Sequence, residues 1–155
     1  KHGRFHTYVG TLHQRISGYR AALNEFGLDI DGEQVRLIEC ACTYEGGQTG
    51  FAGCWTGNRP TAIITMADII AIGALGAAHE AGVRVPQDVS IIGFDDLPIT
   101  NLTDPALTTI HQPIAEKGEY AASQLLEILS GSALGAHRTF PTHLIERGSV
   151  ARQTP

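Results

Sequence analysis

Charge is scarce in this 155-residue chain. Asp, Glu, Lys and Arg together make up 17% of it, the formal charge is -5, and no run of Lys or Arg occurs. The sequence therefore lacks the basic footprint of a nucleic-acid surface, and any DNA contact is expected to lie outside it. Long apolar runs are equally absent. None approaches the roughly 20 residues of a membrane span, and Lys1-His2-Gly3-Arg4 leads into no signal-peptide core, so neither membrane attachment nor export is expected. The chain begins at Lys1 without Met, which points to a truncated or processed product and limits what a missing signal says about the parent protein.

Cysteine is sparse too. Cys40, Cys42 and Cys54 cannot all pair within one chain, so reduced thiols and a cytoplasmic location are expected. Cys40-Ala41-Cys42 has no further ligands at metal-site spacing, and the seven histidines are scattered, so no metal is expected. Neither a Gly-x-Ser-x-Gly elbow nor a Gly-rich phosphate loop ending in Lys-Ser/Thr is present. No catalytic residues and no cofactor are assigned.

What the chain does have is 43% hydrophobic residues, enough for one real core. Arg4 to Val9 alternates like a strand. Ile16, Tyr19, Leu23 and Phe26 then recur at helical spacing from Gln14 until Gly27. Strands are expected over residues 35–39, 61–65 and 89–94, and helices over 46–56 and 68–81, the second opened by Asp68 as N-cap and closed by Gly82. The alternation predicts an α/β fold, a parallel sheet with helices on both faces. A loop over 97–105, an extended piece over 107–110, a helix from Pro113 to about Leu129 and a last strand over 142–147 complete the chain.

The most telling stretch is Val83-Arg84-Val85-Pro86-Gln87-Asp88-Val89-Ser90-Ile91-Ile92-Gly93-Phe94-Asp95-Asp96, an apolar strand that stops on two carboxylates. A run of this kind suits a strand buried on both faces. In open α/β sheets the carboxyl ends of the strands face the ligand crevice, which would put Asp95 where it can accept hydrogen bonds from a bound molecule. Asp96 is the better candidate for a structural turn or cap.

Together with Arg15 to Leu23, Arg59 to Ile64 and Pro105-Ala106-Leu107-Thr108-Thr109-Ile110-His111-Gln112-Pro113, that stretch resembles the effector-binding core of lac-repressor-type (LacI/GalR) transcription regulators. The resemblance implies a periplasmic-binding-protein-like fold, mainly its second lobe. Residues 1–112 would form the lobe core, 113–131 a crossover helix that in the family packs on the first lobe, and 132–155 a return strand and tail. In this chain the apolar stripe of the crossover helix is expected to be covered by another chain or to be partly disordered. The implied function is sensing of a small effector, a sugar or derivative, within a homodimer whose operator DNA is read by an N-terminal region outside this chain. The alternative is a sugar-binding receptor of a transporter, with the same fold.

By the same resemblance Arg15 and Asp95 contact the effector, and Thr11 and Gln112 line the cleft. Arg15 would follow a strand-to-helix turn at residues 10–13 and stand in the first helical turn, where a cation opposes the helix dipole unless a ligand group meets it. Where the family places an aromatic residue against the ligand this chain has Cys42, with Tyr44 two residues on; Tyr44 is either its substitute or a core residue. Ala67 stands where the family commonly has asparagine, before Asp68. Trp55 is assigned to the core.

Overall fold

A computed structural model describes residues 10–131 and 137–152. They fall into two compact units that divide between Ile38 and Glu39. In the first unit, helix α1 spans Gly10–Glu25. Gly27, at φ 72°, ends it, and the Leu28 amide returns to the Leu23 carbonyl at 2.9 Å, a glycine-closed helix exit. The helix starts four residues before the expected point, so residues 10–13 are its first turn and not a loop. Phe26 lies beyond its end and is exposed. The strand expected over residues 4–9 lies outside the described residues. No strand forms over residues 35–39, where Leu37 and Ile38 are exposed: a run of strand-forming residues becomes a strand only where a neighbouring strand completes its ladder.

The second unit holds helices α2 (Tyr44–Cys54), α3 (Asp68–Glu80) and α4 (Ile114–Leu129), and strands β1 (Ala62–Ile64), β2 (Ser90–Asp95), β3 (Thr108–His111) and β4 (His143–Ile145). The strands lie in the order β1-β2-β3-β4. β1, β2 and β3 are parallel, and β4 runs antiparallel to β3, so the sheet is mixed and not wholly parallel as expected. The physical reason is the return of the chain after α4 from the opposite direction. The expected loop after β2 contains a 3-10 turn, Pro98–Asn101.

Ile91 of β2, Val89 just before it, Leu107, Phe51 of α2, and Ala71, Ala74, Leu75 and Ala78 of α3 form one buried cluster. Along β2, Ile91 and Gly93 are buried while Ile92 and Phe94 are only partly so. The strand thus covers one face completely and the other in part, and the helices of this core come from one stretch of chain, α2 and α3. Gly47 and Gly73 let those two helices touch backbone to backbone. A Cβ on Gly73 would fall on the Tyr44 carbonyl, and one on Gly47 on that of Ile70. The glycines that weaken α2 by propensity are where it meets α3. Thr43 caps α2, its hydroxyl accepting from the Gly46 amide at 3.0 Å.

The segment after β4 seals the amino ends of β2 and β3. The buried Ser149 hydroxyl donates to the Ile91 carbonyl at 2.6 Å and accepts from the Thr108 amide at 2.8 Å. One side chain thereby satisfies groups on two neighbouring strands.

α4 is a continuous 16-residue helix with no buried residue. Its stripe is exposed, with Leu126 at 67% and Leu129 at 74%.

Candidate functional site

Parallel register brings the last residues of β2 beside those of β3, with Asp95 opposite His111. Gln112 follows immediately. Its backbone amide reaches the Asp95 carbonyl at 3.4 Å, and its Nε2 donates to Asp95 Oδ1 at 2.7 Å. Gln112 Oε1 in turn accepts from Lys117 Nζ at 2.6 Å. Three side chains, from β2, from the end of β3 and from the first turn of α4, thus form one chain of hydrogen bonds at the carboxyl edge of the sheet. Asp95 and Asp96 have φ of 127° and 61°, conformations that L residues rarely adopt and that cost about 1–3 kcal/mol each.

The fold holds that backbone from two sides. Asp68 is not an N-cap. The cap position is Ala67, without a side-chain bond, and Asp68 is fully buried. Its Oδ2 accepts from the Leu97 amide at 2.8 Å and its Oδ1 from the Thr109 hydroxyl at 2.5 Å. It therefore ties α3 to β3 and to the residue that follows the two aspartates. A Cβ on Gly93 would strike this carboxylate, which explains the glycine in the strand.

Asp96 is fixed from the other side. Arg147 Nη2 donates to its Oδ1 at 2.6 Å, and His111 Nδ1 lies 2.9 Å from Oδ2. Arg147 Nη1 also donates to the Leu107 carbonyl at 2.8 Å and the Thr100 hydroxyl at 3.1 Å. Partial burial pushes the Asp96 carboxyl up, but the bonds from Arg147 and His111 outweigh it and hold the group below the ordinary carboxylate range. The His111 ring leans on His143 with centroids 4.9 Å apart.

Of the residues expected at the site, Asp95 and Gln112 are in direct contact. Tyr44 opens α2, and its hydroxyl lies over Gly76 of α3. Gly76 is eight residues along α3 from Asp68, about 12 Å of helix, so the phenol is engaged well away from the end of α3 that supports the aspartates. Thr11 and Arg15 both lie on α1 in the first unit. Arg15 stands in the second turn, one turn later than expected, close enough to Tyr19 for its cation to oppose the rise that burial imposes on the Tyr19 phenol. Trp55 stacks on Phe51 at 5.2 Å beside the core.

The residues that sequence reasoning missed are Lys117, Arg147 and Asp68 in its buried role. Lys117 carried the one available signal, a cation in the first turn of a helix that begins directly after Gln112.

Among the described residues no group of three His, Cys, Asp or Glu is placed to hold a metal ion. His2 and His6, four apart, lie outside them.

A periplasmic binding protein-like domain family matches residues 4–150. This chain belongs to that family. This periplasmic binding protein-like chain has LacI-family regulators as its relatives. It is 36% identical over 143 residues to the HTH-type transcriptional regulator MalR of Streptomyces coelicolor, a match to 90% of this chain and 41% of MalR. It is 37% identical over 140 residues to the HTH-type transcriptional repressor CytR of Escherichia coli, with 89% of this chain and 40% of CytR covered. The chain thus spans about two fifths of the length of these curated relatives. Among solved structures it superposes on a LacI family transcriptional regulator from Enterococcus faecium with bound ribose. The TM-score is 0.83 at 31% identity, over 90% of this chain and 52% of that one.

Proposed function

We propose that this chain is the effector-sensing and dimerising portion of a LacI-type transcription regulator, and that it takes a sugar or sugar derivative at the carboxyl edge of its sheet. The observation that carries this reading is the Asp95 carboxylate, held at positive φ at the end of a parallel strand and hydrogen-bonded by Gln112. A carboxylate beside an amide offers acceptors and a donor to a hydroxyl-rich ligand. The ribose in the Enterococcus regulator supports the ligand class. In this reading the bound molecule is not turned over. Two chains assemble as a homodimer in the cytoplasm, and operator DNA is contacted by a region outside this chain. Among the described residues no helix is long and apolar enough to cross a membrane. The transporter-receptor alternative is not favoured, because the relatives are transcription regulators.

An effector can alter operator affinity only by binding two conformations differently. The test is therefore made on the full-length regulator: a panel of pentoses and hexoses is titrated by calorimetry and against operator release. Asp95→Ala is expected to retain the wild-type melting transition and lose effector response by at least about a hundredfold, the cost of leaving charged hydrogen-bonding partners unmade. Wild-type response in this variant would overturn the site assignment.

A further inference from the structure

The two ends of the Gln112 amide are alike in shape and opposite in hydrogen-bonding sense: the oxygen only accepts and the nitrogen only donates. Which end faces Asp95 decides whether that contact is a bond or a repulsion. Lys117 settles it. An ammonium has donors and no acceptor, and with Lys117 Nζ 2.6 Å away the Gln112 oxygen must turn toward α4. The nitrogen is thereby directed to Asp95 Oδ1 at 2.7 Å. The opposite orientation would set NH₂ against the ammonium and oxygen against the carboxylate, two repulsions in place of two charge-assisted bonds.

We propose that Lys117 is a positioning residue of the effector site, one that acts through Gln112 to fix the rotamer of the Asp95 carboxylate before ligand arrives. The role rests on the effector reading above. It also gives α4 a direct hold on the site, because Lys117 belongs to that helix's first turn while Gln112 precedes it and Asp95 ends β2. Locking a carboxylate in advance removes an ordering cost that a ligand would otherwise meet on binding.

Two measurements test it. The first needs no ligand: the side-chain amide of Gln112 is followed by ¹⁵N NMR in the full chain. The wild type is expected to show a shifted, slowly exchanging pair, Lys117→Met to lose it, and Lys117→Arg to restore it. An unchanged Gln112 signal in Lys117→Met would overturn the proposal.

The second is a titration of the full-length regulator with D-ribose, the sugar held by the Enterococcus regulator. Lys117→Met is expected to weaken binding about tenfold and to cost nothing further in a Gln112→Leu background, as two members of one network should. Equal losses in both backgrounds would overturn the positioning role, since Lys117 would then meet the sugar itself. A wild type that binds neither D-ribose nor any other sugar of the panel counts against the effector reading, and the amide signal then decides Lys117 on its own.

Discussion

α3 and α4 are both apolar helices of the second unit, and they end in opposite circumstances. α3 buries Ala71, Gly73, Ala74, Leu75 and Ala78 and anchors the aspartate loop through Asp68. α4 has the clearer amphipathic stripe and buries nothing. The side chain that ties it to the sheet edge is the polar Lys117. An apolar stripe therefore reports that a helix has a face to cover, not that the same stretch of chain covers it. α3 is the rigid support of the site, and α4 touches the site at its first turn, while beyond it Tyr120 meets Phe140 and Arg138 and the leucine stripe stays exposed.

The comparison breaks first at Gly73. Gly73→Val would drive a side chain into the Tyr44 carbonyl where the two helix backbones meet, and the expected cost is at least about 3 kcal/mol in urea unfolding. A loss under about 1 kcal/mol would show that α2 and α3 are not locked as described. The next effect lies at the end of the sheet that α3 supports. The Asp96 carboxyl titrates below its unfolded value of about 3.9, so its contribution to stability is complete above about pH 4 and is lost as the pH falls through the lower folded value. Unfolding midpoints between pH 7 and pH 2.5 should fall more steeply for the wild type than for Asp96→Asn; parallel profiles would remove Arg147–Asp96 from the account of the site. Asp88 is held low as well, at about 2, first by its hydrogen bond from the Arg84 side chain. That pair is exposed, and it should leave the acid profile nearly unmoved.

Much of the architecture was legible because periodicity and turn chemistry are local. The strand that ends on Asp95, the helix closed by Gly82 and the helix that begins after Pro113 all follow from spacing and from residues with special backbone freedom. What was not legible is partnership across the chain. Arg147 clamps Asp96 from 51 residues away, and nothing near Glu146 or Gly148 announces it. Asp68 reads as an N-cap in the sequence, but the cap position is Ala67, and the approach of Thr109 and Leu97 makes Asp68 a buried anchor. Residues 35–39 read as a strand by composition, yet composition does not supply the neighbour that a ladder requires. Asp95 was picked out by its strand end and by the family resemblance, and Gln112 by the resemblance alone, whereas their contact follows from the β2–β3 register, which no spacing encodes.

The smallest effect is the one whose sign carries information. Gly118 lies in the interior of α4, and a Cβ there meets nothing within 4 Å. In an open helix Gly118→Ala should stabilise by about 0.5–1 kcal/mol, because alanine surrenders less backbone freedom than glycine and costs nothing in packing. Gly118 is also on the stripe, one turn after Ile114 and one before Ala122. If a second chain or another part of the protein seats on that stripe in solution, the added methyl meets it and the gain shrinks or turns into a loss. Measured alongside Gly73→Val, the substitution separates two kinds of glycine that propensity treats alike. One is kept because a neighbouring backbone occupies the space, and the other sits on a face whose cover the sign of the change reveals.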